Sequence, residues 1–208
     1  MIRIACLLVA LTAAVAVAGD RPPSGATAKL DRQIASVDRI PIWQSELDEL
    51  YERSQVKTPT PEEHKAALDA LIDAAIVEHA ASALHITTDD KELDMAVEEI
   101  KKQNGIDDAG LDKALADQHF TRELYRQELA RQLRAQKVYR YALVPSIDVS
   151  DDDVKKAYDK AKAVTPGIDT FDKVKDVMRQ QLWEQRLGEA QARWIADART
   201  KVHIERRP

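Results

Sequence analysis

Residues 34–42 read Ile-Ala-Ser-Val-Asp-Arg-Ile-Pro-Ile, and this short stretch decides the fold of the chain. Its apolar residues are spaced as in two short strands around a tight turn, with Ile34, Val37, Ile40 and Ile42 on the buried faces. A hairpin this small is stable only when it packs against helices. Near the other end of the chain, Val202-His203-Ile204 alternates like a further short strand that can pair with the hairpin. The two ends of the chain are therefore predicted to fold together.

Helices occupy most of the sequence between these strands. Thr60-Pro61-Glu62-Glu63 combines a capping threonine, a proline at the first helical position and an acid three residues on. Asn104-Gly105 is typical of a helix end, and Ser150 with Asp153 is typical of a helix start. The first predicted helix runs from Ser45 to about Gln55, and the second starts at Pro61 and has the apolar stripe Leu68, Leu71, Ile72, Ala75, Ile76, His79 and Ala83. The third runs from Thr87 or Thr88 to Asn104 and buries Leu93, Val97 and Ile100. A short helix with Leu111 and Leu115, one from about Thr121 to Tyr141 and one that starts at Ser150 follow.

Thr165-Pro166-Gly167 is the clearest boundary in this part of the chain. Beyond it, apolar residues at helical spacing from Phe171 to Ile195 predict one helix of about 28 residues, which is roughly 42 Å long. Such a helix has to dock on the earlier helices or on another chain to cover its apolar stripe. The predicted fold is thus mainly α, with a small β-hairpin, completed by a long C-terminal helix and a terminal strand.

The N-terminus predicts export. Arg3 precedes an apolar run from Ile4 to Val17, and Ala16-Val17-Ala18 supplies the small residues of a cleavage site. We expect a signal peptide over residues 1–18, cleavage after Ala18 and a periplasmic location. The run is short for a bilayer span of about 20 residues, although an uncleaved anchor stays open as an alternative. Cys6 is the only cysteine, so the mature chain has none and forms no disulfide.

The charge balance argues against nucleic acid as a partner. The chain has 31 Lys and Arg residues against 36 Asp and Glu residues, with both signs interspersed. No basic face of the kind that binds phosphates is visible. We also expect no stable insertion into the membrane once the signal is removed.

The sequence contains no recognisable catalytic, cofactor or metal site. It lacks a glycine-rich phosphate loop and a nucleophile elbow. His119 and Glu123 are four residues apart, but two groups are better explained as a surface pair than as a metal site. Asp151-Asp152-Asp153 lacks the alternating acids and glycine of a calcium loop and suits the first turn of a helix. We therefore expect no enzyme activity and no cofactor.

The tryptophans allow two interpretations. Trp183 and Trp194 are eleven residues apart and share one face of the long helix, and Trp43 directly follows the hairpin. They can be core anchors, or they can form a binding surface because aromatic rings give a large contact area. The candidate residues for binding an unfolded polypeptide are Trp43, Trp183, Leu187 and Trp194.

Several segments of the sequence resemble the SurA-type periplasmic chaperones. Their N-terminal domain opens with an "IAxVNGxxI…SEL" pattern, which residues 34–42 and Ser45-Glu46-Leu47 resemble. Four further segments follow in the family's order: residues 67–73, residues 86–105, residues 149–158 and residues 171–204. The last of these resembles the C-terminal helix and strand that complete the N-terminal domain in this family.

One departure from the family pattern matters for function. SurA-type proteins usually insert one or two parvulin-type prolyl isomerase domains between the last two segments. The resemblance implies an inserted domain of roughly a hundred residues. In this sequence only Lys160 to Asp169 lie between the two segments that would flank it. We therefore predict that the isomerase domain and its activity are absent.

The resemblance implies an ATP-independent holdase in outer-membrane protein assembly. Its partners would be unfolded or extended polypeptides bound in an apolar groove. The alternatives are an envelope adaptor that uses the same cradle for one dedicated partner and an enzyme whose site the sequence does not reveal. The implied domains are a leader over residues 19–33, a helical domain over 34–163, a linker over 164–170 and a docking helix and strand over 171–208. An extended linker would allow a homodimer that swaps the C-terminal helix.

Overall fold

The structure is a computed structural model, and it describes residues 31–118, 120–165 and 167–207. In these residues the chain forms seven α-helices, one short 3₁₀ turn and a three-stranded antiparallel sheet. The elements are β1 (Gln33–Val37), β2 (Ile40–Trp43), α1 (Gln44–Arg53), α2 (Pro61–Ala83), α3 (Asp90–Asn104), α4 (Asp108–Ala116), α5 (Arg122–Ala142), the 3₁₀ turn (Val144–Ser146), α6 (Asp151–Val164), α7 (Phe171–Arg199) and β3 (Ile204–Arg206). The mainly α fold with a small hairpin is confirmed.

The sheet joins the two ends of the described chain. β1 and β2 form the predicted hairpin, and Asp38 in its turn has a positive φ of 51°. β3 pairs antiparallel with the other side of β1, with Val37 opposite Ile204 and Ala35 opposite Arg206. The predicted pairing is confirmed, but the strand begins at Ile204 rather than Val202. The reason is that the backbone N–H of His203 is bonded to the Asp38 carboxylate at 2.9 Å instead of continuing a ladder.

Side-chain caps set the helix starts. At α2, the Thr60 hydroxyl accepts from the N–H of Glu63, and the Glu63 carboxylate accepts from the N–H of Thr60 at 2.8 Å, as predicted. The third helix, however, is capped by Asp89 and not by Thr87 or Thr88. Asp89 exchanges the same two bonds with Glu92, because its carboxylate is the acceptor at the right spacing.

α2 and the sheet hold the main core. Ala35, Val37 and Ile42 of the sheet are fully buried, and so is Ile72 in the middle of α2. The other buried residues of α2 are Leu71, Ala74, Ala75, Ile76, Val77 and Ala81. His79 was predicted in the apolar stripe, but its ring lies 3.1 Å from the Asp38 carboxylate and is partly exposed. A polar partner at the hairpin turn explains why this position is not apolar.

The chain divides into two compact units. The first contains the described residues up to Val138 together with residues 198–207, and the second contains residues 139–197. The boundary falls inside α5 and inside α7, which both run through it. The division into residues 34–163, 164–170 and 171–208 stays a prediction.

The N-terminal predictions lie mostly outside the described residues. This applies to the signal peptide over residues 1–18 and to residues 19–30 of the predicted leader. The leader was expected to reach residue 33, but Gln33 already belongs to β1. Among the helices of the described ranges, none combines the length and apolar character needed to cross a bilayer.

Candidate polypeptide-binding surface

The four candidate binding residues belong to two units. Trp43 is the last residue of β2 in the first unit, whereas Trp183, Leu187 and Trp194 lie on α7 in the second. All four side chains are neither fully buried nor fully exposed. Each unit therefore offers a partly covered apolar surface, and the larger set is on α7.

Two arginines of α7 fasten it to the start of α6. Arg179 donates to the backbone oxygen of Val149 at 3.0 Å and to the Asp151 carboxylate at 2.5 Å. Seven residues further on, Arg186 donates to the backbone oxygen of Asp148 and lies 3.0 Å from the Asp153 carboxylate. A spacing of seven is two helical turns, so both guanidinium groups lie on one face of α7. Both arginines thus bond to backbone oxygens of the loop that precedes α6.

An aromatic pair closes the other end of this helical hairpin. The rings of Tyr158 and Phe171 meet edge to face with centroids 5.3 Å apart. The Tyr158 hydroxyl donates to the backbone oxygen of Asp169 at 3.1 Å. The ammonium of Lys155 lies over both rings, at 5.2 Å and 5.4 Å from their centroids. These contacts fix the short connection between α6 and α7.

The apolar stripe of α7 is only partly covered. Of the 29 residues of this helix, only Ala190 is buried. Val177, which is not part of the predicted stripe, is 59% exposed. The other residues of the stripe are half-buried: Phe171, Val174, Met178, Leu182, Trp183, Leu187, Trp194 and Ile195. The stripe therefore keeps part of its apolar surface accessible.

A shallow depression lies at the middle of this stripe. Trp183 forms its apolar side, next to Val149. Asp176, Arg179 and Gln180 form its polar side. The depression can therefore accept an apolar side chain on the indole ring while polar groups at the rim bond to a backbone.

Trp194 has a more structural environment than Trp183. Its ring meets the Tyr139 ring edge to face, with centroids 5.7 Å apart and an interplanar angle of 84°. Such a pair stabilises packing beyond the area it buries. Trp194 thus combines a packing contact with partial exposure, and its part in binding a polypeptide stays a prediction.

Trp43 lies beside a half-buried acid, Glu46, that the sequence analysis did not single out. The N–H of Trp43 donates to the Glu46 carboxylate at 2.8 Å, which caps α1. Burial raises the pKa of Glu46 to about 7, although the bond from Trp43 and the charge of Arg131 act in the opposite direction. Arg131 is far from Glu46 in sequence, so the pattern around Ser45-Glu46-Leu47 gave no signal for this environment.

A cluster of charges anchors the C-terminal segment to α2. Arg206 and Lys65 donate to the Asp69 carboxylate at 2.6 Å and 3.0 Å. Arg199 contacts Asp69 at 3.4 Å and donates to Asp73 at 2.6 Å. Burial acts to raise the pKa of Asp69, but the bond from Lys65 and the charges of Arg206 and Arg199 outweigh it and lower this pKa. Sequence analysis missed the cluster, although two acids four residues apart within an apolar stripe were a signal.

The described residues do not bring together a metal site. In residues 31–118, 120–165 and 167–207, no three His, Cys, Asp or Glu side chains converge in a way that could hold an ion. Asp151 and Asp153 bond to arginines, as acids in the first turn of a helix. His119 lies outside the described residues, so its pair with Glu123 stays a prediction.

Comparison with solved structures supports the same architecture. The chain resembles a structure from a study of two related SurA-like chaperones of Campylobacter jejuni, the virulence factor PEB4 and the periplasmic protein Cj1289. The TM-score is 0.65 at 15% sequence identity, and the match covers 84% of this chain and 98% of the other. At this identity the likeness concerns the fold.

Sequence comparison gives the relationship. The chain is 28% identical over 137 residues to a putative peptidyl-prolyl cis-trans isomerase SurA of Haemophilus influenzae. The match covers 64% of this chain but only 42% of that relative. The family model of the SurA-like N-terminal domain matches residues 1–139. The chain therefore belongs to the family of SurA-like N-terminal domains.

Proposed function

We propose that this protein is an ATP-independent periplasmic chaperone that binds unfolded polypeptides bound for the outer membrane. Membership of the SurA-like family supports a chaperone role. The observation that carries the proposal is the partly exposed apolar stripe of α7, with the Trp183 depression at its middle. Apolar surface of this kind binds the apolar segments that an unfolded chain exposes.

A holdase of this kind needs no energy source. Binding to the unfolded client lowers the concentration of free, aggregation-competent chain by mass action. Trp183, Leu187 and Trp194 would contribute the contact area on α7, and Trp43 would contribute it in the first unit. Met178 is half-buried and Met95 belongs to the first unit, so the α7 surface uses few adaptable methionines. We therefore expect weak binding to many clients.

Aggregation of a urea-unfolded outer-membrane β-barrel protein, followed by light scattering after dilution, tests the proposal. We expect the chain to suppress scattering at stoichiometric amounts. Trp183→Ala removes the indole ring from the depression on α7 and should weaken suppression severalfold. Met95→Ala is the control, because it removes an apolar side chain that is 64% exposed on α3, outside the proposed surface.

Two results would count against the proposal. One is unchanged scattering at a severalfold excess of the chain, and the other is an equal effect of the two substitutions. Pull-down from the periplasm adds a further discrimination. Many weakly bound polypeptides support the holdase, whereas one stoichiometric partner supports the adaptor alternative.

We propose in addition that the chain lacks prolyl isomerase activity. The relative from Haemophilus influenzae is named for that activity, but the match covers under half of it. In this chain α6 ends at Val164 and α7 begins at Phe171. A connection this short has no room for an inserted domain of roughly a hundred residues. Catalysis of proline isomerisation in a standard peptide, well above the uncatalysed rate, would contradict this statement.

Export is part of the proposal. We propose cleavage after Ala18 by signal peptidase and release into the periplasm. The intact mass of the protein recovered from the periplasmic fraction tests this directly, because cleavage removes residues 1–18. Light scattering at two protein concentrations tests whether the chain forms a dimer, which a swapped C-terminal helix requires.

A further inference from the structure

The outer edge of β3 has backbone groups that face away from the sheet. In the sheet formed by residues 31–118, 120–165 and 167–207 the strand order is β2-β1-β3, so β3 is an edge strand among these residues. Asp38 donates its N–H to His203 at 2.7 Å, and Arg207 donates its N–H to Ile34 at 2.8 Å. Residues 203, 205 and 207 therefore direct their backbone groups at β1. Because these directions alternate along a strand, the N–H and C=O groups of Ile204 and Arg206 point outward.

The opposite edge of the sheet is β2, whose outward N–H positions cannot donate to a further strand. Pro41 is opposite Ser36, and the alternation along β1 turns the backbone groups of Ser36 towards β3. Pro41 therefore occupies an outward position on β2, and it has no N–H to donate. The next outward N–H, that of Trp43, is bonded to the Glu46 carboxylate. Natural sheets protect their edges with such devices, and the three residues of β3 contain no proline. Its edge is limited instead by the short length of the strand and by the charges of Glu205 and Arg206.

We propose that the open edge of β3 binds an extended segment of an unfolded polypeptide as a fourth strand. The inference rests on the proposed function and names a second contact for the same class of client. Main-chain bonds from Ile204 and Arg206 would provide binding that does not depend on the client sequence. This complements the apolar stripe of α7, which binds side chains.

The side chains of β3 indicate the chemistry of the added strand. Ile204 is half-buried and lies opposite Val37, which is fully buried, on the core face of the sheet. Glu205 is exposed and lies on the other face, opposite Ser36. A client residue beside Ile204 should be apolar and a client residue beside Glu205 should be basic. Alternation of apolar and polar residues is also the pattern of strands in outer-membrane barrels.

A second copy of this chain fits the edge poorly. When two β3 strands pair antiparallel over their whole length, Glu205 lies directly opposite its counterpart in the other copy. In that register Glu205 is at a non-hydrogen-bonded position of the new pair, where side chains are closest. Two like charges at that position destabilise the pairing. The observations therefore favour an extended client over self-association.

Binding of a fluorescein-labelled decapeptide that alternates valine and lysine, measured by fluorescence anisotropy, tests the proposal. Two further peptides carry N-methyl groups at every valine or at every lysine, so each has one strand edge blocked. We expect one methylated peptide to lose about tenfold or more in affinity while the other binds like the parent, because a single edge of the client pairs with β3. If both methylated peptides are affected alike, whether unchanged or weakened, the proposal is overturned.

Two variants at one position provide the protein side of the test. Ile204→Pro removes the outward N–H but none of the bonds to β1, and should weaken binding of the parent peptide about fivefold. Ile204→Ala removes the side chain, retains the N–H and should keep most of the affinity. The methylated peptides decide the matter on the unaltered protein if Ile204→Pro does not fold. If the peptides discriminate but aggregation is not suppressed, the proposed function fails and the edge site stands. If aggregation is suppressed while all three peptides bind alike, the edge site fails alone.

Discussion

Asp69→Asn is the substitution that tests most directly how the C-terminal segment is held. Asn has nearly the shape of Asp, so packing is preserved while the negative charge is removed. Without the negative charge of Asp69, the contacts to Arg206 at 2.6 Å and to Lys65 at 3.0 Å are no longer ion pairs. The ion pair between Arg199 and Asp73 at 2.6 Å remains. The substitution therefore weakens the link between α2 and residues 199–206 without breaking it.

The magnitude follows from exposure. The Asp69 side chain is 21% exposed, but Lys65 is largely in solvent and Arg206 is nearly half exposed. Solvent-exposed pairs contribute about 0.2–1 kcal/mol each. Counting Arg206 and Arg199 near the upper value and Lys65 near the lower one gives a loss of about 2 kcal/mol. For a chain of this size, about 2–4 °C in Tm accompanies each kcal/mol.

The pH dependence supplies a second criterion. The pKa of Asp69 is lowered in the folded state. As pH falls, the unfolded chain therefore takes up the proton first. The contribution of the Asp69 charge is present above the unfolded carboxyl value of about 3.9, and it is lost as pH falls through the lower folded-state pKa. The difference between parent and variant should shrink below about pH 4.

Urea denaturation followed by circular dichroism, from pH 7 to pH 3, measures both quantities. Asp159→Asn is the matched control, because Asp159 pairs with Lys155 at 2.7 Å on the surface of α6 and both side chains are more than half exposed. We expect the control to lose less than about 0.5 kcal/mol. The reasoning is refuted if the two variants are equally stable at pH 7, or if the loss in Asp69→Asn persists unchanged into acid.

Two further predictions concern the first unit. Burial raises the pKa of Glu46 to about 7 from an ordinary value of 4.5. The folded state therefore holds a proton that the unfolded chain has released, and stability falls as pH rises through this window. Glu46→Gln should remove this fall, so that its urea midpoint gains on the parent between pH 5 and pH 8; a gain that is constant with pH would contradict the burial. Ile72→Ala leaves a cavity at a fully buried position of α2 and should cost about 2–5 kcal/mol in thermal or urea unfolding. Leu68→Ala, at a half-buried position of the same helix, should cost clearly less, and an equal loss would show that the core is not centred on Ile72.

Local sequence patterns predicted the elements well because their causes are local. A cap such as Thr60 with Glu63 satisfies N–H groups within three residues, and Gly105 ends α3 in the left-handed region at φ 64°. These bonds form whatever the rest of the chain does. Asp89 shows the limit of this reasoning, since three adjacent residues can each cap a helix and the spacing to Glu92 selects one.

The family was also predicted from the sequence, and the client surface proposed on α7 uses residues that the sequence analysis named. The residues of the hairpin and the long helix carry the resemblance, and residues 1–139 match the family. The sequence did not predict how much of the apolar stripe on α7 is exposed. An apolar stripe on α7 has the same pattern whether neighbours cover it fully or partly, because periodicity records only which side of a helix is apolar.

The sequence alone determined the hairpin, the helices with their caps, and the short connection between α6 and α7. Only the tertiary structure decided which distant groups meet. Asp69 with Arg206 and Glu46 with Arg131 are separated by many residues, and the energy of such pairs depends on distance and burial that no local pattern encodes. The open edge of β3 is of the same kind, because a strand reveals its unpaired side only once its neighbour in the sheet is known.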